Sequence, residues 1–102
     1  MKIHPSVSLA TIASMIGAEY TGDPAFQITG LNEIHMVQPG DITFVDHPKY
    51  YSKALNSKAT TIIINTPVDC PEGKALLLHE DPFAAFNLLI RKFRPFTPSA
   101  TA

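Results

Sequence analysis

The sequence predicts an α/β domain: a small, mixed, partly parallel sheet with flanking helices. Three observations predict it. The short runs at 60–64 and 75–78 are β-branched or apolar throughout, as expected of strands buried on both faces of a parallel sheet. Two strand candidates lead into a polar residue and a proline, His47-Pro48 and Asp81-Pro82, and proline suits a first helical turn because its missing amide has no partner to lose there. After Pro82, apolar residues recur at helical spacing as Phe83, Phe86, Leu89, Ile90 and Phe93. At 102 residues the chain can build one core, not two.

From the N-terminus, Ser6 or Ser8 can cap a first helix with the apolar stripe Leu9, Ile12 and Ile16, which Gly17 stops in a left-handed conformation. Short strands are expected at 18–20 and 26–31, parted by the turn Thr21-Gly22-Asp23-Pro24. Gln38-Pro39-Gly40-Asp41 is a second turn and launches the β-prone Ile42-Thr43-Phe44-Val45. Asp46-His47-Pro48 starts a helix expected to run to about Ser57, before the strand at 60–64. Pro67, Pro71 and Gly73 make 65–73 a loop, and 75–78 is the next strand. Asp81 caps the last helix, whose C-terminal Arg91, Lys92 and Arg94 suit the helix dipole. Pro95 and Pro98 open a linker over 95–102, so the domain is expected at 1–94.

Composition narrows the function. A formal net charge of −1 provides no field for nucleic acid or an anionic membrane, and no apolar run is long enough to span a bilayer. The single Cys70 excludes an internal disulfide and a Cys-based zinc cluster; with no signal peptide in view, a reducing, cytoplasmic setting is expected. Cys70 lies between Asp69 and Glu72, which raise a thiol pKa and argue against a nucleophile. His79-Glu80-Asp81 is better read as a helix cap than as a metal site, and no metal or cofactor is expected. His4 and His35 read as surface or turn residues.

In open α/β sheets, ligands bind outside the carboxyl ends of strands, near helix N-termini. The chain has two such junctions, 44–51 and 78–82, and the first is richer in recognition chemistry. Phe44 ends a strand, His47 lies in the turn, and Tyr50 comes next on the helix, with Tyr51 on the stripe of Ala54 and Leu55 that faces the core. Two aromatics flanking a polar side chain suit a flat heterocycle, each stack contributing about 1–3 kcal/mol. The same residues also suit the core, since Phe44 shares the strand parity of Ile42 and large aromatics are mostly buried.

The run Gln38-Pro39-Gly40-Asp41-Ile42-Thr43-Phe44-Val45-Asp46-His47-Pro48-Lys49-Tyr50 resembles the P-G-D-I/L-S/T-F-L-x-N-P-K-Y signature of the UDP-3-O-acylglucosamine N-acyltransferases of lipid A biosynthesis. Leu9-Ala10-Thr11-Ile12-Ala13, Thr21-Gly22-Asp23 and Asp81-Pro82-Phe83 also fall in the family's order, so the resemblance extends over nearly the whole chain. It implies a uracil-binding N-terminal domain in which Phe44 and Tyr50 sandwich the ring. His47 stands where the family has an asparagine bonded to uracil, and its neutral imidazole offers one donor and one acceptor. Lys49 lies where a diphosphate would run. The resemblance further implies UDP-3-O-(3-hydroxyacyl)glucosamine as substrate, acyl carrier protein as acyl donor, and a homotrimer built by a left-handed β-helix. The catalytic histidine belongs to that β-helix, and no hexapeptide repeat of it appears here, so the chain is expected to bind without catalysing. The expected fold is also similar to the N-terminal domain of the muramyl ligases of peptidoglycan synthesis, the alternative assignment. Those share a P-G-D-L/I-F segment but continue into a glycine-rich phosphate loop, which is not visible here. A third reading is a non-enzymatic interaction module with the aromatics in its core.

Overall fold

The computed structural model describes residues 2–93, the side chain of His4 excepted. The expected linker at 95–102 and Arg94 lie outside the described residues.

Of the two serines able to cap the first helix, Ser8 does so: its backbone is extended and its hydroxyl accepts from the Thr11 amide at 3.3 Å. Helix α1 (Leu9–Ile16) ends at Gly17, whose φ of 66° is the left-handed stop the sequence predicts. Ser6 belongs instead to strand β1 (Lys2–Ser8), an element the sequence reading did not anticipate. Pro5 makes this stretch a poor central strand, but an edge strand tolerates a residue that cannot donate. β1 pairs antiparallel with β3 (Gln27–Leu31) through a register shift between Lys2 and Val7.

β2 (Glu19–Thr21), β4 (Asp41–Val45), β5 (Thr61–Ile64) and β6 (Ala75–Leu78) complete a six-stranded sheet of order β1-β3-β4-β5-β6-β2. β3 to β6 run parallel, while β1 and β2 close the two edges antiparallel. Mixed and partly parallel is the predicted class.

Both sheet faces are covered, which is why the strands read as apolar runs rather than alternating ones. Ile42, Ile63 and Leu77 pack with Leu9, Ile12 and Ile16 of α1 and with Ala85, Phe86 and Leu89 of α3 (Pro82–Phe93). On the opposite face, Val45, Ile62, Ile64 and Leu76 pack with Ala54 of α2 (Tyr51–Leu55). Each large side chain among them contributes about 1.5–3 kcal/mol when fully buried. Thr43 and Thr61 are also fully buried, and among the described residues neither hydroxyl has a hydrogen-bond partner.

The helix expected over 48–57 is shorter and begins differently. Pro48–Tyr50 forms a 3-10 turn, and α2 stops at Leu55. The cause lies partly outside the segment: the Lys74 ammonium donates to the carbonyls of Leu55 at 2.8 Å and Ser57 at 2.5 Å. Ser57 Oγ donates to the Ala54 carbonyl at 2.7 Å, and these side chains satisfy the free end without another turn. Burial holds the Lys74 ammonium below its ordinary pKa. Among the described residues, no helix is long and apolar enough to cross a membrane.

Candidate functional site

The site begins where two neighbouring strands part. β3 makes its last pair at Leu31 with Ile42, and the Asn32 amide still reaches the Ile42 carbonyl at 3.1 Å. β4 continues to Val45 paired only with β5, Phe44 beside Ile63 and Val45 beside Ile64. The end of β4 therefore borders a notch on the β3 side.

The first half of the motif holds the loop that roofs this notch. Gly40 has φ of 96°, and a Cβ there would lie 2.2 Å from Thr29 Oγ1, so the turn requires glycine. Asp41, almost wholly buried, accepts at Oδ2 from Asn32 Nδ2 and from the Gln38 amide, both at 2.8 Å. The Gly40 amide donates to Thr60 Oγ1 at 3.0 Å. These bonds pin both ends of the segment carrying Glu33, Ile34 and His35.

The second half forms the opposite wall. His47 is extended, and its Nδ1 accepts from the Lys49 amide at 3.2 Å, capping the 3-10 turn in place of a Ser or Asp oxygen. The turn leaves Tyr50 47% exposed while directing Tyr51 inward, where its hydroxyl bonds to Asn65 Oδ1 and lies 2.9 Å from Thr66 Oγ1. The division of the two tyrosines between rim and core is the one the sequence predicts. Asn65 Nδ2 also donates to the Asp46 carbonyl at 3.1 Å, fixing the backbone where the strand becomes the turn.

Between the walls lies a cavity of about 280 Å³, lined by Glu33, Ile34 and His35 on one side and by Phe44, Val45, Asp46, Tyr50 and Lys53 on the other. It is close to the small end of ligand clefts, roughly 300–1,000 Å³, and suits a single heterocycle better than an entire nucleotide sugar. Phe44 divides its surface between two tasks. It is half-buried and packs on Phe86 and Phe83 of α3, with ring centroids at 4.8 and 5.6 Å, and it also lines the cavity. Phe44 thus belongs partly to the core and partly to the cavity wall.

Not every expected residue reaches the cavity. His47 and Lys49 are not among its lining residues. The His47 ring centroid is 5.8 Å from that of Tyr50, and the Lys49 ammonium lies 5.7 Å from the Tyr50 ring. Because His47 Nδ1 already accepts, only Nε2 remains, and in the neutral ring it carries the proton. The donor-plus-acceptor pair expected of this imidazole is therefore reduced to one donor. Lys53, an exposed residue of α2, lines the cavity instead; its position three residues after Tyr50 is the signal available in the sequence. His35 is an exposed turn residue, as expected, and it also lines the cavity, with Nε2 at 3.7 Å from Glu33 Oε2.

At the second junction, His79 Nδ1 accepts from the Asp81 amide at 2.9 Å, and Asp81 Oδ1 accepts from the Ala84 amide at 3.1 Å. That is the predicted helix cap. Cys70 has a thiol pKa pushed up, as predicted, but burial is the cause rather than Asp69 and Glu72.

Similarity to known proteins bears on this geometry. Residues 25–92 match the model of the family described as UDP-3-O-(3-hydroxymyristoyl) glucosamine N-acyltransferase, LpxD. The chain belongs to this family. The UDP-3-O-acylglucosamine N-acyltransferase of Syntrophotalea carbinolica is 37% identical over 92 residues, covering 90% of this chain and 26% of that protein. That of Myxococcus xanthus is 33% identical over 93 residues, covering 90% and 27%. That of Methylacidiphilum infernorum is 29% identical over 90 residues, covering 88% and 26%. The chain thus spans about a quarter of the length of these LpxD relatives.

Proposed function

We propose that this domain holds the uracil end of UDP-3-O-acylglucosamine for an N-acyltransferase of lipid A biosynthesis. The observation that carries this reading is the cavity at the end of β4, where Phe44 and the exposed Tyr50 line one small space. A uracil ring between them gains two stacking faces, about 1–3 kcal/mol each. His47 Nε2–H contacts a ring carbonyl from the rim, and Lys53, with Lys49 farther out, faces the departing diphosphate. Holding the nucleotide fixes the glucosamine 2-amine relative to a base in the rest of the enzyme.

In the intact protein, a left-handed β-helix beyond a linker at 95–102 transfers a 3-hydroxyacyl group from acyl carrier protein to that amine, as a homotrimer in the cytoplasm. The LpxD match supports this over the muramyl-ligase alternative.

Titration of the chain with UDP, UMP and CMP, followed by amide NMR shifts, tests the reading at the millimolar affinity, near about −4 kcal/mol, expected of one stacking site. Saturable shifts at Phe44, His47 and Tyr50, larger for UMP than for CMP, are the expected result. No shifts at high UDP would overturn the uracil reading.

A further inference from the structure

We propose that Asp46 reads the ribose of the bound nucleotide, its carboxylate accepting hydrogen bonds from the vicinal 2′ and 3′ hydroxyls. The inference rests on the uracil reading above and adds the sugar to it.

Its starting point is a side chain that the fold does not use. Aspartate is among the strongest helix-capping residues, and Asp46 lies directly before His47-Pro48. Yet the cap is made by His47 Nδ1. Among the described residues, the Asp46 carboxylate accepts no hydrogen bond and joins no ion pair; only its backbone carbonyl is engaged, by Asn65 Nδ2 at 3.1 Å. The carboxylate therefore stands on an anchored backbone in the wall that Phe44 and Tyr50 share.

Chemistry decides what such a group accepts. The imide edge of uracil presents carbonyl, N–H and carbonyl in a row, so a carboxylate placed there would face two acceptors for one donor. A diphosphate is excluded by like charge. A vicinal diol offers two O–H donors, which one carboxylate can take together. Acidic side chains meet ribose hydroxyls in this way in dinucleotide folds. Glu33, the other carboxylate of the cavity, has His35 Nε2 at 3.7 Å as a partner. The division of labour is then complete: aromatics for the base faces, His47 for a base carbonyl, Asp46 for the diol, Lys53 for the phosphates.

The test is an NMR titration of the chain with uridine, 2′-deoxyuridine and 2′,3′-dideoxyuridine, for the wild type, Asp46→Asn, Asp46→Ala and Glu33→Gln. The wild type is expected to bind uridine on the order of tenfold more tightly than dideoxyuridine. Asp46→Ala should erase that ratio by weakening uridine alone, with the amide spectrum still dispersed, and Asp46→Asn should reduce it. Equal wild-type affinities for uridine and dideoxyuridine would overturn the ribose assignment while leaving the uracil reading intact. Loss of the ratio in Glu33→Gln but not in the Asp46 variants would also overturn it. Failure of every nucleoside to shift any amide would remove the uracil reading and this inference together.

Discussion

Two junctions on the carboxyl edge of the sheet start alike and end differently. After β4 and after β6, a histidine Nδ1 accepts the amide two residues on, His47 from Lys49 and His79 from Asp81. A proline comes soon after in each case, Pro48 or Pro82. From Pro82 the apolar residues keep helical spacing for twelve residues, and α3 packs Phe86 and Leu89 into the core. From Pro48 to Leu55 only Ala54 is fully buried, so the chain makes a 3-10 turn and a five-residue helix, leaving Tyr50 at the rim. The capping signal is shared. The apolar spacing downstream of it decides whether a junction becomes scaffold or cavity wall.

The largest effect should come from breaking the scaffold side. Phe86→Ala removes a nearly buried ring that also backs Phe44 at 4.8 Å, and should cost about 3–5 kcal/mol in denaturant unfolding. On the proposed uracil reading it should weaken UDP binding as well, because Phe44 loses its support. Tyr50→Ala should do the reverse, shifting stability by no more than about 0.5 kcal/mol while weakening UDP by about tenfold or more. In the intact enzyme that loss should appear as a higher KM for the UDP-sugar. A Tyr50→Ala variant that unfolds readily but binds normally would erase the distinction between the junctions.

Smaller changes sharpen it. Asp81→Ala should cost about 1 kcal/mol through the lost cap and leave nucleotide binding untouched, measured by unfolding and UDP titration side by side. Thr43→Val or Thr61→Val replaces a buried, unpartnered hydroxyl with a methyl and should be neutral or stabilising by up to about 1 kcal/mol. The smallest effect is in pH. Burial raises the Cys70 thiol pKa in the folded state, so its contribution is intact below the unfolded thiol's range and is lost as pH climbs through that range toward the raised folded value. Cys70→Ser should flatten that slope in unfolding curves taken across the alkaline range.

The residues made some of this legible and hid the rest for identifiable reasons. Burial on both faces wrote β5 and β6 into the sequence as unbroken runs, and spacing separated Tyr50 from Tyr51. β1 escaped because its pairing with β3 is non-local and its proline argues against a strand. The early end of α2 escaped because the group that satisfies its carbonyls is Lys74, seventeen to nineteen positions further on. The cavity escaped because it arises from register: β3 leaves the sheet while β4 still has pairs to make with β5. The family resemblance singled out Phe44 and Tyr50, which line the cavity, without showing that His47 spends one ring nitrogen on the nearby backbone.

The strand order has a consequence for how the chain is made. Both outer strands of the sheet come from its first residues, β1 against β3 and β2 against β6, where Glu19 pairs with Leu78. A chain emerging from the ribosome therefore holds its two outermost strands first and cannot place the second until residue 78 has been synthesised. The parallel strands in between form with one flank open until that late closure. An N-terminal deletion that removes 1–21 would leave both flanks permanently unpaired. Such a chain should self-associate rather than simply lose stability, even though every residue lining the cavity at the end of β4 remains.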